Sequence, residues 1–151
     1  MAGACSSQAR VNRLCSRALS DIAHFLKWQD IMTRQCLDKD IKITPAKGRV
    51  HVLFDGAEIG SSLNALELDE PGSPLRIYLP RIDVREDILE LSETKTICPY
   101  KGEAHYYTLK TLTADGPDQV WYYPDPCPLV EPIRDHLAFW GDRIEYRSTE
   151  V

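Results

Sequence analysis

No run of apolar residues in this chain approaches the roughly 20 that cross a bilayer; stretches such as Val52-Leu53-Phe54 run to only a few residues. A membrane span is therefore not expected. The five cysteines (Cys5, Cys15, Cys36, Cys98, Cys127) include no C-x-x-C pair, and the four histidines (His24, His51, His105, His136) form no H-E-x-x-H or H-x-H. Ribbon and finger zinc sites need closely spaced thiolates, and none is available. An odd cysteine count in a chain of 151 residues does not suggest a disulfide scaffold either. A reduced cytoplasmic setting is the simplest expectation. The strings G-x-x-x-x-G-K-[ST], G-x-G-x-x-G and G-x-S-x-G are absent, which removes the phosphate loop, the dinucleotide fingerprint and the nucleophile elbow. Any chemistry is expected to be acid–base work without a cofactor or a metal.

A basic surplus is missing too. The net charge is −5, whereas nucleic-acid binding usually needs a basic face. The charge is uneven: residues 1–40 hold six Lys/Arg against four Asp, leaving twelve basic and nineteen acidic residues for the remainder. A mildly basic leader thus precedes an acidic body. With 43% hydrophobic and 27% charged residues, the composition is that of a globular chain.

From Ala9 to about Leu37 the apolar residues Val11, Leu14, Cys15, Ala18, Leu19, Ile22, Ala23 and Leu26 follow the i, i+3, i+4, i+7 spacing of an amphipathic helix. Arg10, Arg13 and Arg17 line a neighbouring stripe. The expected role is packing, on the body or on a second copy as a homodimer. A mitochondrial transit peptide is the alternative, against which Asp21, Asp30 and Asp38 speak. Residues 1–44 are thus read as a helical extension and 45–151 as one β domain.

Beyond Pro45 the pattern shortens. Val50–Phe54 followed by Asp55-Gly56 predicts a strand and a two-residue hairpin turn. Leu63–Leu68, Leu75–Leu79, Thr94–Ile97, Glu103–Leu112 and Gln119–Tyr123 are further strand candidates, with turns at Glu70–Pro74, Pro99–Gly102 and Asp115–Asp118. Asp83–Leu91 reads as one short helix or turn. Leu137–Trp140 and Arg143–Arg147 read as a second hairpin about Gly141-Asp142. Short strands at this spacing predict a small antiparallel barrel, tent-like fold or sandwich.

Three clusters carry candidate chemistry. In Tyr78-Leu-Pro-Arg-Ile-Asp-Val84, Arg81 and Asp83 at i, i+2 would share one side of an extended segment and line one pocket. Arg81 would hold an anion and Asp83 would move a proton; the plainer alternative is an ion pair at a strand end. In Cys98-Pro-Tyr-Lys-Gly102, a tight turn would aim Lys101 and Cys98, with Lys101 as base or oxyanion partner. Tyr100, Tyr106, Tyr107, Trp121, Tyr122 and Tyr123 form an aromatic group, in which Tyr106 can oppose Trp121 or Tyr123 across paired strands.

These residues resemble a known family. The strings Arg49-Val50-His-Val, Ala65-Leu66, Glu70, Tyr78-x-Pro80-Arg81-x-Asp83-Val84, Cys98-Pro-Tyr-Lys-Gly102-x-Ala104-x-Tyr106-Tyr107, Trp121-x-Tyr123-x-x-Pro126 and Ala138-Phe139 are similar to those of the domain-of-unknown-function family four-two-seven. That family is also labelled nucleotidyltransferase-like. The resemblance runs from about Pro45 to Arg147. It implies a compact, mostly antiparallel β-fold with the motifs around one cavity. The first expectation is a small cofactor-independent isomerase, cyclase or lyase acting on a small organic molecule. Asp83 or Glu70 would be its base, and Lys101 and Arg81 would stabilise negative charge. Tyr78, Cys98, Tyr100, Tyr106, Trp121 and Tyr123 would contact the substrate. A non-catalytic ligand-binding or oligomerising module is the second expectation. Nucleotide transfer is the third, with carboxylates from Asp69-Glu70 and Asp83 holding Mg²⁺.

Overall fold

In the computed structural model, which describes residues 36–151, the chain after Ile41 alternates strand and turn almost throughout. The expected helix at residues 9–37 lies outside the described residues except at Cys36 and Leu37, which are not helical. Its proposed roles in dimerisation or targeting lie outside them as well.

The strands are β1 (Lys42–Pro45), β2 (Arg49–Phe54), β3 (Ala57–Ser62), β4 (Leu66–Asp69), β5 (Arg76–Pro80), β6 (Leu89–Cys98), β7 (Gly102–Lys110), β8 (Asp115–Tyr122), β9 (His136–Phe139) and β10 (Ile144–Thr149). They form an antiparallel sheet ordered β1-β4-β5-β9-β8-β7-β6 and a smaller one ordered β10-β2-β3. Closure into a barrel would require the end strands to pair, and β1 and β6 do not. The mainly β, antiparallel expectation holds; the barrel gives way to an open two-sheet sandwich.

Period-two alternation explains the interior. Val50, Val52, Phe54 and Ile59 of the small sheet pack against Leu79, Leu109, Val120, Leu137 and Phe139 of the large one. Each such burial contributes about 1.5–3 kcal/mol. The neighbours Tyr78 and Ala138 point the other way, into a second cluster with Leu68, Ala104, Tyr123, Val130 and Ile133. The Pro128–Ile133 segment, two kinked 3₁₀ turns, covers that far face. Tyr146 keys the two sheets: its hydroxyl accepts from Phe139 N at 3.1 Å and donates to Phe139 O at 2.9 Å.

The Asp55-Gly56 hairpin forms as expected, with φ of 54° and 83° at the two positions, the signs a type I′ turn demands. Glu70–Pro74 also turns, closed by Ser73 N to Glu70 O at 3.0 Å. Several expectations are corrected. The one short helix or turn expected at Asp83–Leu91 takes the second form, as two 3₁₀ turns rather than one element, Arg81–Asp83 and Glu86–Ile88, followed by the start of β6. Val84 bridges to Gly60, and Arg85 N bonds Ile59 O at 2.9 Å. That pairing holds the intervening backbone extended, so a continuous helix cannot form. Asp115–Asp118 is not a turn but lies within β8. Its irregularity is absorbed as a bulge against β7, with Asp118 at φ 53°. The Gly141-Asp142 turn exists but carries the chain from one sheet to the other: β9 pairs with β5 and β8, and β10 with β2. The expected second hairpin is therefore absent. Residues 42–44, read as part of the helical extension, belong to a strand paired with β4.

The cysteines also differ from expectation. Cys36 and Cys127 form a disulfide with Cα atoms 5.6 Å apart, so unpaired thiols in a reduced setting do not describe this pair. A separation of 91 residues hides it from any spacing rule. Cys98 is free and half-buried. Among the described residues no helix is long and apolar enough to cross a membrane.

Candidate functional site

The far face of the large sheet carries a row of side chains that runs across four strands. Tyr78 on β5 is opposite Ala138 on β9, Ala138 is opposite Trp121 on β8, and Trp121 is opposite Tyr106 on β7. Alanine in the middle of the row leaves room for its two aromatic neighbours to meet. The Trp121 indole N–H donates to the Tyr78 hydroxyl at 3.3 Å, with ring centroids 6.4 Å apart and nearly perpendicular. At the row's end, the Tyr106 and Thr96 hydroxyls share a hydrogen bond of 2.9 Å.

This row floors a cavity of about 350 Å³. Charged groups stand on its rim. Glu70 opens the turn after β4, and Lys101 lies on the turn between β6 and β7. That turn is fixed from behind: Lys101 O accepts from Cys127 N at 2.8 Å. Gly102 there has φ 113°, and a Cβ would come within 3.1 Å of Asp125 O. One Glu70 oxygen contacts Lys101 Nζ; the other receives Lys39 Nζ at 3.0 Å. The Glu70 and Lys101 side chains are only 9% and 12% exposed. Burial alone would raise the Glu70 pKa, but the hydrogen bonds and charges of Lys101 and Lys39 outweigh it. They hold the carboxyl below its ordinary 4.5. Burial pushes the Tyr78 hydroxyl up to about 12 and Tyr123 higher still. Both are neutral donors at physiological pH.

Arg76 completes the rim. It sits two positions before Tyr78 on β5 and shares its face. Its guanidinium carbon lies 4.1 Å from the Trp140 ring centroid and 5.7 Å from that of Trp121. Nη1 is buried without a hydrogen-bond partner, and among the described residues no carboxylate forms an ion pair with Arg76.

Of the residues expected at the site, Glu70, Lys101, Tyr78, Tyr106, Trp121 and Tyr123 line this one cavity. Tyr100 lies behind the rim, its ring centroid 4.7 Å from Lys39 Nζ. Cys98 packs against the cluster beneath the cavity. Arg81 and Asp83 do not join them. Both fall in a 3₁₀ turn, so i, i+2 no longer means one side. Asp83 accepts from Ser62 Oγ at 2.6 Å and borders a separate hollow with Glu58 and Arg85. Arg81 Nη1 donates to Tyr107 Oη at 3.0 Å, with its guanidinium over the stacked Tyr107 and Tyr122 rings. Those two tyrosines alternate with Tyr106 and Trp121 and so face the sandwich interior. Arg76, Trp140, Ser73 and Asp118 line the cavity without having been anticipated. The period-two relation to Tyr78 would have found Arg76. The same relation to Ala138 would have found Trp140, which follows the end of β9 and continues its ladder through Trp140 N to Gln119 O at 2.8 Å.

The carboxylates that nucleotide transfer would draw on do not meet. Glu70 is held by two lysines and Asp83 by Ser62. Among the described residues no three His, Cys, Asp or Glu side chains converge as metal ligands. The residues present do not fit a Mg²⁺ site. No curated protein matches the chain. Residues 42–150 match the model of the family described as Domain of unknown function (DUF427), and the chain belongs to that family.

Proposed function

We propose that this protein binds a small organic anion with a planar body in the cavity of the large sheet. The observation that carries the reading is Arg76: a partly desolvated cation, stacked between Trp121 and Trp140, that forms no ion pair with a carboxylate among the described residues. A half-buried charge without a counter-ion is costly, and a bound anion offsets that cost. Glu70 is already neutralised by Lys101 and Lys39 and does not compete for Arg76. The aromatic row offers faces for a ring or conjugated chain. The cavity's size suits a small metabolite, near the lower end of the about 300–1,000 Å³ typical of ligand sites.

Calorimetric titration with benzoate, cyclohexanecarboxylate and the neutral isostere benzamide tests the reading. Benzoate is expected to bind and benzamide at least about tenfold more weakly. Arg76→Gln should cost benzoate about 10- to 100-fold, the range of a charge-assisted hydrogen bond. Equal affinity for benzoate and benzamide, or for wild type and variant, refutes it.

A second reading keeps acid–base catalysis by an isomerase, cyclase or lyase without a cofactor. It is favoured by the contact between Lys101 and Glu70 beside the Tyr78 and Tyr123 hydroxyls. A ligand anion that draws Lys101 away would free Glu70 as a base, leaving Lys101 as the acid. Asp83 and Arg81 have no part in it. Exchange of solvent deuterium into a bound carbon acid, abolished in Glu70→Gln, would establish it; a bound ligand that never exchanges would exclude it.

A further inference from the structure

We infer that residues 36–41 form a latch on the cavity rim, held by the Cys36–Cys127 disulfide and released by its reduction, and that Lys39 is the positioning residue the latch delivers to Glu70. The inference concerns regulation of the site proposed above, and it rests on that reading only for its effect on ligand affinity.

Both halves of the disulfide are tied to the same turn. Leu37 N donates to Pro99 O at 2.8 Å, and Cys127 N donates to Lys101 O at 2.8 Å. Three residues after Cys36, Lys39 reaches Glu70 at 3.0 Å and lies over the Tyr100 ring. The segment between Cys36 and β1 has no helix or strand of its own, and most of it is exposed. Apart from the disulfide, its ties among the described residues are one backbone hydrogen bond to the turn, one ion pair and one cation–π contact at the rim, and the packing of Ile41, next to β1, against the cluster beneath the cavity. Partly exposed contacts of this kind contribute about 0.2–1 kcal/mol each, little against the entropy of ordering six residues. The covalent link is what keeps Lys39 in place.

The two sulfurs differ in access. Cys36 is exposed and Cys127 buried. The reductant is a small dithiol. Its thiolate attacks Cys36 Sγ, the S–S bond breaks, and Cys127 leaves as a thiolate that takes up a proton. The second thiol of the reductant then displaces Cys36 from the mixed disulfide. A cyclic disulfide and two protein thiols result, so two electrons pass from reductant to protein. Freed of the link, the segment lifts away and Glu70 retains only Lys101.

Two ligand-independent measurements test this on the full chain: amide hydrogen exchange, and ¹³C NMR titration of the Glu70 carboxyl. Dithiothreitol reduction and Cys36→Ser are each expected to speed exchange at Leu37 by at least about tenfold more than at the core amides of Val52 and Leu137. Each should also raise the Glu70 pKa towards its ordinary value. Lys39→Gln, with the disulfide intact, should move Glu70 in the same direction while leaving Leu37 protected. That variant keeps the test open where a cysteine variant fails to fold. The latch is overturned if Leu37 stays protected after the S–S bond is broken. The role of Lys39 is overturned if Lys39→Gln leaves the Glu70 titration unmoved. Where benzoate binds, reduction should weaken it about two- to fivefold, the scale of one partly exposed ion pair. Where benzoate binds neither form, the cavity reading fails while the exchange and titration results still judge the latch.

Discussion

A carboxylate between two lysines makes the Glu70 cluster a stability element as well as a rim of the cavity. Its folded pKa lies below the ordinary 4.5. The stabilisation is therefore fully present above that value and is lost as pH falls through the folded pKa. Denaturation midpoints measured between about pH 6 and pH 3 should decline in the wild type. Glu70→Gln should begin less stable at neutral pH and show a shallower decline, because its lysines are unpaired at every pH. Identical pH slopes for the two proteins would show that the cluster contributes nothing. Arg76 is the opposite case at the same scale: among the described residues its charge has aromatic neighbours but no carboxylate partner, so substitution should harm ligand binding more than stability.

At the scale of elements, the aromatic row depends on the small residue at its centre. Ala138→Leu would push a branched side chain between Tyr78 and Trp121 and part their hydrogen bond. Overpacking of this kind costs about 1–3 kcal/mol, and Trp121 emission should shift as its indole loses the Tyr78 hydroxyl. Unchanged fluorescence and stability would mean that the row tolerates a wedge. The row also marks how far residues alone could lead. Tyr106 and Trp121 were legible because aromatic residues at alternate strand positions must share a face, and Tyr106 opposite Trp121 is one of the two pairings that rule allowed, the other being Tyr123. Asp55-Gly56 was equally legible, since few dipeptides accept two positive φ angles. Arg81 and Asp83 were misread because a 3₁₀ turn and an extended segment look alike over three residues; the bridge from Val84 to Gly60 decides between them. β1 went unread because its Lys42–Pro45 stretch has no alternating burial to betray it. Lys39 was hidden for a different reason: its place depends on a disulfide partner 91 residues beyond Cys36.

Across the whole molecule, the two sheets meet through apolar packing with few polar ties, and Tyr146 supplies one of them. Tyr146→Phe keeps the ring but leaves the Phe139 amide without its hydroxyl partner. A loss of about 1–3 kcal/mol is expected from a buried donor left unsatisfied, read as a lower denaturant midpoint with an unchanged slope. No shift in midpoint would assign the inter-sheet specificity to packing alone. The small sheet has one more consequence, concerning the time order of assembly. β2 pairs with β10, so residues 49–54 wait for residues 144–149, whereas the β6-β7-β8 meander joins neighbours in sequence. During synthesis the meander can close as soon as it emerges. Val50, Val52 and Phe54 stay without their second flanking strand until residues 144–149 have been made. Distant pairings of this kind slow folding and prolong the exposure of apolar strands, so the nascent chain spends its most aggregation-prone interval with β2 and β3 as an isolated hairpin.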